Sequence, residues 1–533
     1  MINNSKLNGI LLQVCILIAA ACFIYSEISN HQFITTWDDP SYILNNGAIR
    51  AFSPDNVKTV FSRLYVGNYA PIHILSYMVD YKLWGLQPFG YLLSNVILHL
   101  LNALLFYFLL LRLNYSKLVG GLASFIFLSH PVQVESVAWA SQRKTLLAML
   151  FFLLSWHAYV KYREMPWKTG GWRYYSCALA AFSAAVLSKV VAVILPPFLL
   201  LFERSFPREK RQPLWLAHLP FWAIAVFISI LTIAIQDPGV YGGRRGHYGG
   251  TLLGTVLTML PVHVRYVTHL LWPAGLTVEY VFPIKTHLDG EVIGAAILLS
   301  ALFWGIFLLY RRNSPLFCWA MVFVLGIAPV SGVVPLVTQM NDRYLYFPLL
   351  GAAVCFSVAL AHAYELIRHK TAARSLGIFV LLPLLALPLL SRGQVRIWED
   401  SITLWSDCVR KSPQNAFCYA QLGDAYYQRG WQDKATQNYQ EALRIIPDHP
   451  EALRGLGFLY LNSGDFLKSR QYLTTLSSLY PGDRNGWLLL AKNYLASGYP
   501  EKAVEAVENV LHMKPDDKEA LQLKLIAAEK IHR

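Results

Sequence analysis

Read by polarity alone, the chain changes character near residue 391. Before that point long apolar stretches alternate with short polar ones; after it apolar positions recur at helical spacing inside a longer period. The apolar stretches cover residues 9–28, 90–111, 117–130, 145–160, 174–188, 190–202, 214–235, 251–272, 291–310, 315–337, 344–366 and 375–390. The first runs for roughly 20 residues, the length of helix that crosses about 30 Å of hydrocarbon. It is longer than the apolar core of a usual leader and lacks a clean small-x-small cleavage site before Glu27, so it reads as a retained span rather than a cleaved leader. The pattern predicts an all-α chain: a polytopic membrane helix bundle followed by a helical repeat array.

Basic clusters orient the bundle. Arg112/Lys117, Lys161/Arg163/Lys168/Arg173, Arg204/Arg208/Lys210/Arg211, Arg311/Arg312 and Arg368/Lys370/Arg374 belong on the cytoplasmic side. An inside N-terminus satisfies every cluster as far as residue 235. Beyond it, Arg311/Arg312 would face outward if 251–272 crossed the membrane. That stretch carries Pro261, His263, Arg265 and His269, which are costly in lipid and suit an interface or a cavity wall. About eleven crossings remain. Segments 29–89, 130–144, 236–250, 273–290, 338–343 and everything after 391 then share the non-cytoplasmic side.

The array repeats every 34 residues. Gly430, Gly464 and Gly498 recur at that interval, as do Pro447, Pro481 and Pro515, and Tyr426, Tyr460 and Tyr494. Ala435, Ser469 and Ala503 stand where paired helices must approach closely. This is the tetratricopeptide pattern, with three full repeats at 416–449, 450–483 and 484–517. Residues 392–415 read as a half repeat and connector, and 518–533 as a capping helix.

Composition adds two points. The formal charge is +14, yet residues 416–533 balance, so the whole excess lies in residues 1–415. Span-flanking Lys and Arg account for much of it, and no nucleic-acid partner is expected. The seven Cys residues show no CxxC spacing and no cluster with His, so they do not define a metal site.

Chemistry concentrates outside. The loop 29–89 is longer than a connector needs to be and carries the adjacent acids Asp38 and Asp39 before Pro40. They read either as turn-capping and solvated groups or as a base and its orienting or metal-binding neighbour, with a weak preference for Asp39 as the base. A divalent metal is left open. In residues 129–145, His130 ends a span, and Glu135, Trp139 and Gln142 follow at spacings that place them on one helix face. Arg143 and Lys144 are cations on the outer side, suited to a phosphate or to headgroup snorkelling. Arg343, beside Asp342, suits a phosphate or an ion pair. The Gly-rich segment 239–250, with Arg244, Arg245 and His247, reads as a lid. Glu279 and Tyr280 stand beside the 251–272 helix.

Taken together and in order, WDDPSYILNN, the segment 130–162 beginning HPVQVESVAWASQRKT, LLWPAGLTVEY, NDRYLYFPLLG and the trailing repeats resemble the transmembrane and tetratricopeptide repeat O-mannosyltransferases and their bacterial relatives. The resemblance implies a C-type (GT-C) membrane glycosyltransferase with a polyprenyl-phosphate-linked sugar donor, a hexose such as mannose. It also implies a first-loop carboxylate, here Asp38 or Asp39, and transfer with inversion to a protein Ser/Thr hydroxyl. Three full repeats are fewer than animal members carry, which points to a bacterial inner membrane with periplasmic repeats; a eukaryotic member would hold them in the endoplasmic reticulum lumen. The rival reading is a non-catalytic membrane-anchored scaffold whose repeats assemble an envelope complex.

Overall fold

The computed structural model describes residues 4–165, 170–206, 214–235, 246–334, 336–367 and 372–532. Arg244, Arg245, Lys168, Arg208, Lys210, Arg211, Arg368 and Lys370 lie outside the described residues. The chain forms two compact units, Met1–Asp400 and Ser401–Arg533.

The first unit holds α1 (Asn4–Ile24), α2 (Pro54–Ser62), α3 (Pro71–Trp84), α4 (Pro88–Arg112), α5 (Lys117–Ser129), α6 (Val134–Ala138), α7 (Arg143–Glu164), α8 (Gly171–Ser188), α9 (Leu195–Ser205), α10 (Leu214–Ile235), α11 (Leu252–Leu271), α12 (Gly290–Arg311), α13 (Leu316–Ile327), α14 (Pro348–Ile367) and α15 (Ala372–Ile397). Among the described residues six helices, α1, α4, α7, α10, α12 and α14, are long and apolar enough to cross a membrane. A seventh span results if α5 and the segment Pro131–Ala138, bent by 53° at His130, are taken together. The other four runs of the expected eleven form α8, α9, α13 and α15. In α11 the helix continues through Pro261, burying Val262, Tyr266 and His269 and exposing Leu252, Leu253 and Leu271.

Aromatic side chains fill the interior. Trp156 lies 4.3 Å from Phe198 and 5.5 Å from Trp319 between ring centroids. Gly351 lets α14 close on α13: a Cβ there would sit 2.1 Å from the Trp319 carbonyl oxygen. The beginning and end of this unit are tied together. Glu27 accepts hydrogen bonds from Arg392 and Arg396 at 2.6 Å each, the Gln32 amide donates to the Glu399 carbonyl at 2.8 Å, and Ser391 Oγ donates to the Ser129 carbonyl at 2.6 Å. These contacts carry α15 past residue 391 to Ile397. The half repeat expected from 392 therefore starts at α16 (Ser401–Lys411).

The second unit continues with α17 (Ala416–Gln428) and α18 (Gln432–Ile445), α19 (Pro450–Asn462) and α20 (Phe466–Leu479), α21 (Arg484–Ala496) and α22 (Pro500–Met513), and α23 (Lys518–Ile531). Each turn between paired helices holds its glycine at left-handed φ: Gly430 at 79°, Gly464 and Gly498 at 81°. Ala435, Ser469 and Ala503 are wholly buried, and Leu453, Leu473, Leu476 and Leu488 form a core that runs from repeat to repeat. A disulfide joins Cys408 of α16 to Cys418 of α17, a pairing that spacing alone did not suggest.

Candidate active site

The first outer loop folds onto the 137–142 turn, and Asp39 is the staple. Its Oδ2 accepts the Ile34 amide at 2.7 Å, while Oδ1 accepts the Ser141 amide at 3.2 Å and the Ser141 hydroxyl. Both oxygens are engaged and the residue is 1% exposed. Burial raises its carboxyl to about 6, against the lowering effect of the Ser141 and Ile34 bonds. Asp38 is only half-buried, and the charges acting on it are Lys144 and Arg343. Burial pushes this carboxyl up as well, opposed by those two cations. Pro40 opens a single wide turn, Pro40–Leu44, with Asp39 at its start.

Residues 134–145 do not form the single helix that would align Glu135, Trp139 and Gln142. The helix stops after Ala138, where side chains capture carbonyls at and just beyond its end. Asn95 Nδ2 donates to Val137 O and Trp139 O at 3.1 and 3.2 Å, and Tyr77 Oη to Ala140 O at 2.6 Å. Trp139 becomes extended (φ −99°, ψ 118°), and α7 starts afresh at Arg143. Trp139 stacks on Trp37 at 4.1 Å and on Trp398 at 5.7 Å, a column drawn from three distant parts of the chain. Gln142 Oε1 accepts from Thr145 Oγ1 at 3.3 Å.

The cations divide into two kinds. Arg143, 1% exposed, pairs with Asp80, donates from Nε to Asn95 Oδ1 at 2.8 Å and from a terminal nitrogen to Tyr91 O at 2.7 Å, and lies 4.8 Å from the Tyr77 ring centroid. Its donors are spent on the scaffold, which corrects its expected place among phosphate-binding groups. Arg343 pairs with Glu135, also through its own amide at 2.8 Å, and its guanidinium lies over Trp37 and Trp139 at 5.6 and 5.5 Å. Lys144 is buried, donates to Tyr42 Oη at 3.2 Å, and lies 5.0 Å from that ring's centroid.

Lys189 joins them, and the sequence reading missed it. It sits in extended backbone between α8 and the Val190–Ile194 turn and donates to Thr145 Oγ1 at 2.9 Å, on the residue after Lys144. The only local signal was one cation between two apolar runs.

Of the remaining candidates, His130 caps the Pro131–Gln133 turn and contacts Leu270 O at 3.2 Å. His247 contacts Thr255 Oγ1 at 3.3 Å, and Glu279 is half-buried. Tyr280 Oη donates to Asp342 Oδ1 at 2.8 Å. Among the described residues no three His, Cys, Asp or Glu side chains converge to hold a metal. With both Asp39 oxygens engaged, the acidic pair does not fit one, and no step is assigned to a metal.

An apolar cavity of about 1000 Å³ opens among α5, α11, α12, α13, α14 and α15. Ile126, Leu270, Phe323, Phe356 and Leu384 are among its walls, and His130 is its histidine.

Two family models match the chain: dolichyl-phosphate-mannose-protein mannosyltransferase over residues 40–232, and a tetratricopeptide repeat over 398–464. The protein O-mannosyl-transferase TMTC3 of Mus musculus is 22% identical over 94% of this chain and 60% of its own length. Tmtc3 of Drosophila melanogaster is 23% identical over 91% of this chain and 60% of its own. The chain thus spans about three-fifths of the length of these relatives. Among solved structures, ArnT from Cupriavidus metallidurans bound to undecaprenyl phosphate aligns with 98% of this chain and 88% of its own, at 13% identity and a TM-score of 0.40. The chain is thus similar to dolichyl-phosphate-mannose-protein mannosyltransferases over residues 40–232, to a tetratricopeptide repeat over residues 398–464, and over nine-tenths of its length to proteins named protein O-mannosyl-transferases.

Proposed function

We propose that this chain is a GT-C-type membrane glycosyltransferase that moves a sugar from a polyprenyl-phosphate donor to a protein Ser/Thr hydroxyl on the non-cytoplasmic side. The observation that carries the reading is Asp38, a half-buried carboxylate under the charges of Lys144 and Arg343 while its neighbour Asp39 is locked into the scaffold. Asp38 takes the acceptor hydroxyl proton as that oxygen attacks the anomeric carbon. The bond from that carbon to the phosphate oxygen breaks, and the charge gained by the departing polyprenyl phosphate falls to Lys144, Lys189 and Arg343. Attack opposite the leaving group inverts the anomeric centre.

The apolar cavity accepts the polyprenyl tail. The repeats recruit the acceptor or a partner protein, and the Cys408–Cys418 disulfide supports their placement in an oxidising compartment outside the cytoplasm.

The test is intact-mass analysis of envelope proteins from cells with the wild-type chain, with Asp38→Asn, and with no chain. A hexose-sized increment present only with the wild type supports the reading. An increment that survives Asp38→Asn overturns the base assignment, and one that survives without the chain overturns the activity.

A further inference from the structure

Asp342, next to Arg343 in the chain, belongs to a second polar nest. Asp342 accepts from Tyr280 Oη at 2.8 Å, and the same phenol oxygen accepts the Thr277 amide at 3.1 Å. His269 Nδ1 stands 3.6 Å from Asp342 Oδ1, beyond hydrogen-bond reach, and its ring lies 5.6 Å from that of Tyr280. His269 is 0% exposed, yet neither ring nitrogen has a partner among the described residues. Thr277 Oγ1, Asn341 Oδ1 and both amide atoms of Gln133 are likewise buried and unpartnered. The segments join: Asn341 precedes Asp342, Thr277 shares the Tyr280 loop, and the Pro131–Gln133 turn packs on Asp342–Leu345.

An unpaired buried polar group is destabilising, so several gathered in one place call for a ligand with many hydrogen-bonding groups. The charges decide which kind. With Glu135 and Asp342 both here, an anion is repelled. A neutral polyol can donate to a carboxylate and an imidazole and accept from an amide and a hydroxyl. We propose that His269, Asp342, Tyr280, Thr277 and Gln133 form the subsite for the donor's hexose ring. The assignment rests on the donor class proposed above. It also explains how the two halves of one donor are sorted: the acidic and neutral nest takes the sugar, and the cationic side takes the phosphate. The apolar cavity borders the nest through His130, Leu270 and Pro273, which lie at the root of the Tyr280 loop.

The experiment measures binding of undecaprenyl phosphate and of its mannosyl and glucosyl derivatives to the full chain in nanodiscs, by native mass spectrometry, without any acceptor. The wild type is expected to prefer one hexosyl lipid to the bare lipid phosphate. His269→Ala and the milder Thr277→Val are each expected to reduce that preference, by about tenfold for His269→Ala, while binding the bare lipid phosphate as the wild type does. Three results overturn the subsite: a wild type with no preference, variants that keep it because the nest holds only water, and variants that lose bare and hexosyl lipid equally. A wild type that binds none of the lipids overturns the donor reading along with the subsite, and so is distinguishable from the other three.

Discussion

The carboxylates of the membrane unit and those of the repeat array find their partners over different distances along the chain. Asp39 meets Ser141 at a separation of 102 positions and Glu135 meets Arg343 at 208, each a contact made once. Asp483 and Asp517 meet Arg454 and Arg484 at separations of 29 and 33, each from the opening helix of a repeat to that repeat's last residue. Contacts close to the repeat length can be lost singly with little consequence, whereas the long-range ones fix a geometry that nothing else supplies.

The contrast should appear first in activity. Asp38→Asn is expected to lower transfer by about 10²–10⁴-fold with an unchanged thermal midpoint, and Asp39→Asn to lower the midpoint together with activity. Unfolding in detergent would break the comparison if Asp39→Asn left the midpoint unmoved. Next comes Arg143→Ala, which strands Asp80 in the interior and should cost about 3–5 kcal/mol. Arg454→Ala in the array, where the side chain is 23% exposed, should cost below about 1 kcal/mol. Comparable losses for the two arginines would erase the distinction. Leu473→Ala calibrates the array's core at about 2–5 kcal/mol.

The smallest effects are in pH. Burial raises Asp38, so the acid limb of the transfer profile should lie above the ordinary carboxylate range, activity falling as the base protonates. In the repeats, burial raises Asp424 to about 6, against the lowering effect of its Tyr439 bond. Between about pH 4, where an unfolded Asp titrates, and about 6, the folded chain holds the extra proton. Stability from this residue is therefore present below that window and is lost as pH rises through it. Asp424→Asn should flatten the dependence, read as thermal midpoints from pH 4 to 7.

What the sequence disclosed follows the same division. The array was readable because Gly430, Gly464 and Gly498, with Ala435, Ser469 and Ala503, repeat one local geometry at a fixed interval. The acidic pair stood out as a pair, but its division of labour did not, because the Ser141 group that engages Asp39 lies a hundred positions away. Arg143 and Lys144 look alike as neighbours; only Asp80, Asn95 and Tyr91 separate their roles. The break at Trp139 was invisible for the same reason, since the groups that capture the carbonyls there belong to α3 and α4. Lys189 shows in the sequence only as one cation between two apolar runs, with nothing local to tie it to Thr145.

The tie between Glu27 and the end of α15 bears on the order of synthesis. The first-loop acids emerge from the ribosome early, yet Trp398, Arg392 and Glu399, which brace that loop and the Trp37–Trp139 column, emerge hundreds of residues later. A nascent or prematurely terminated chain therefore carries its acids without the brace that orders them. The first loop gains its full set of braces only when the last helix of the membrane unit has been made.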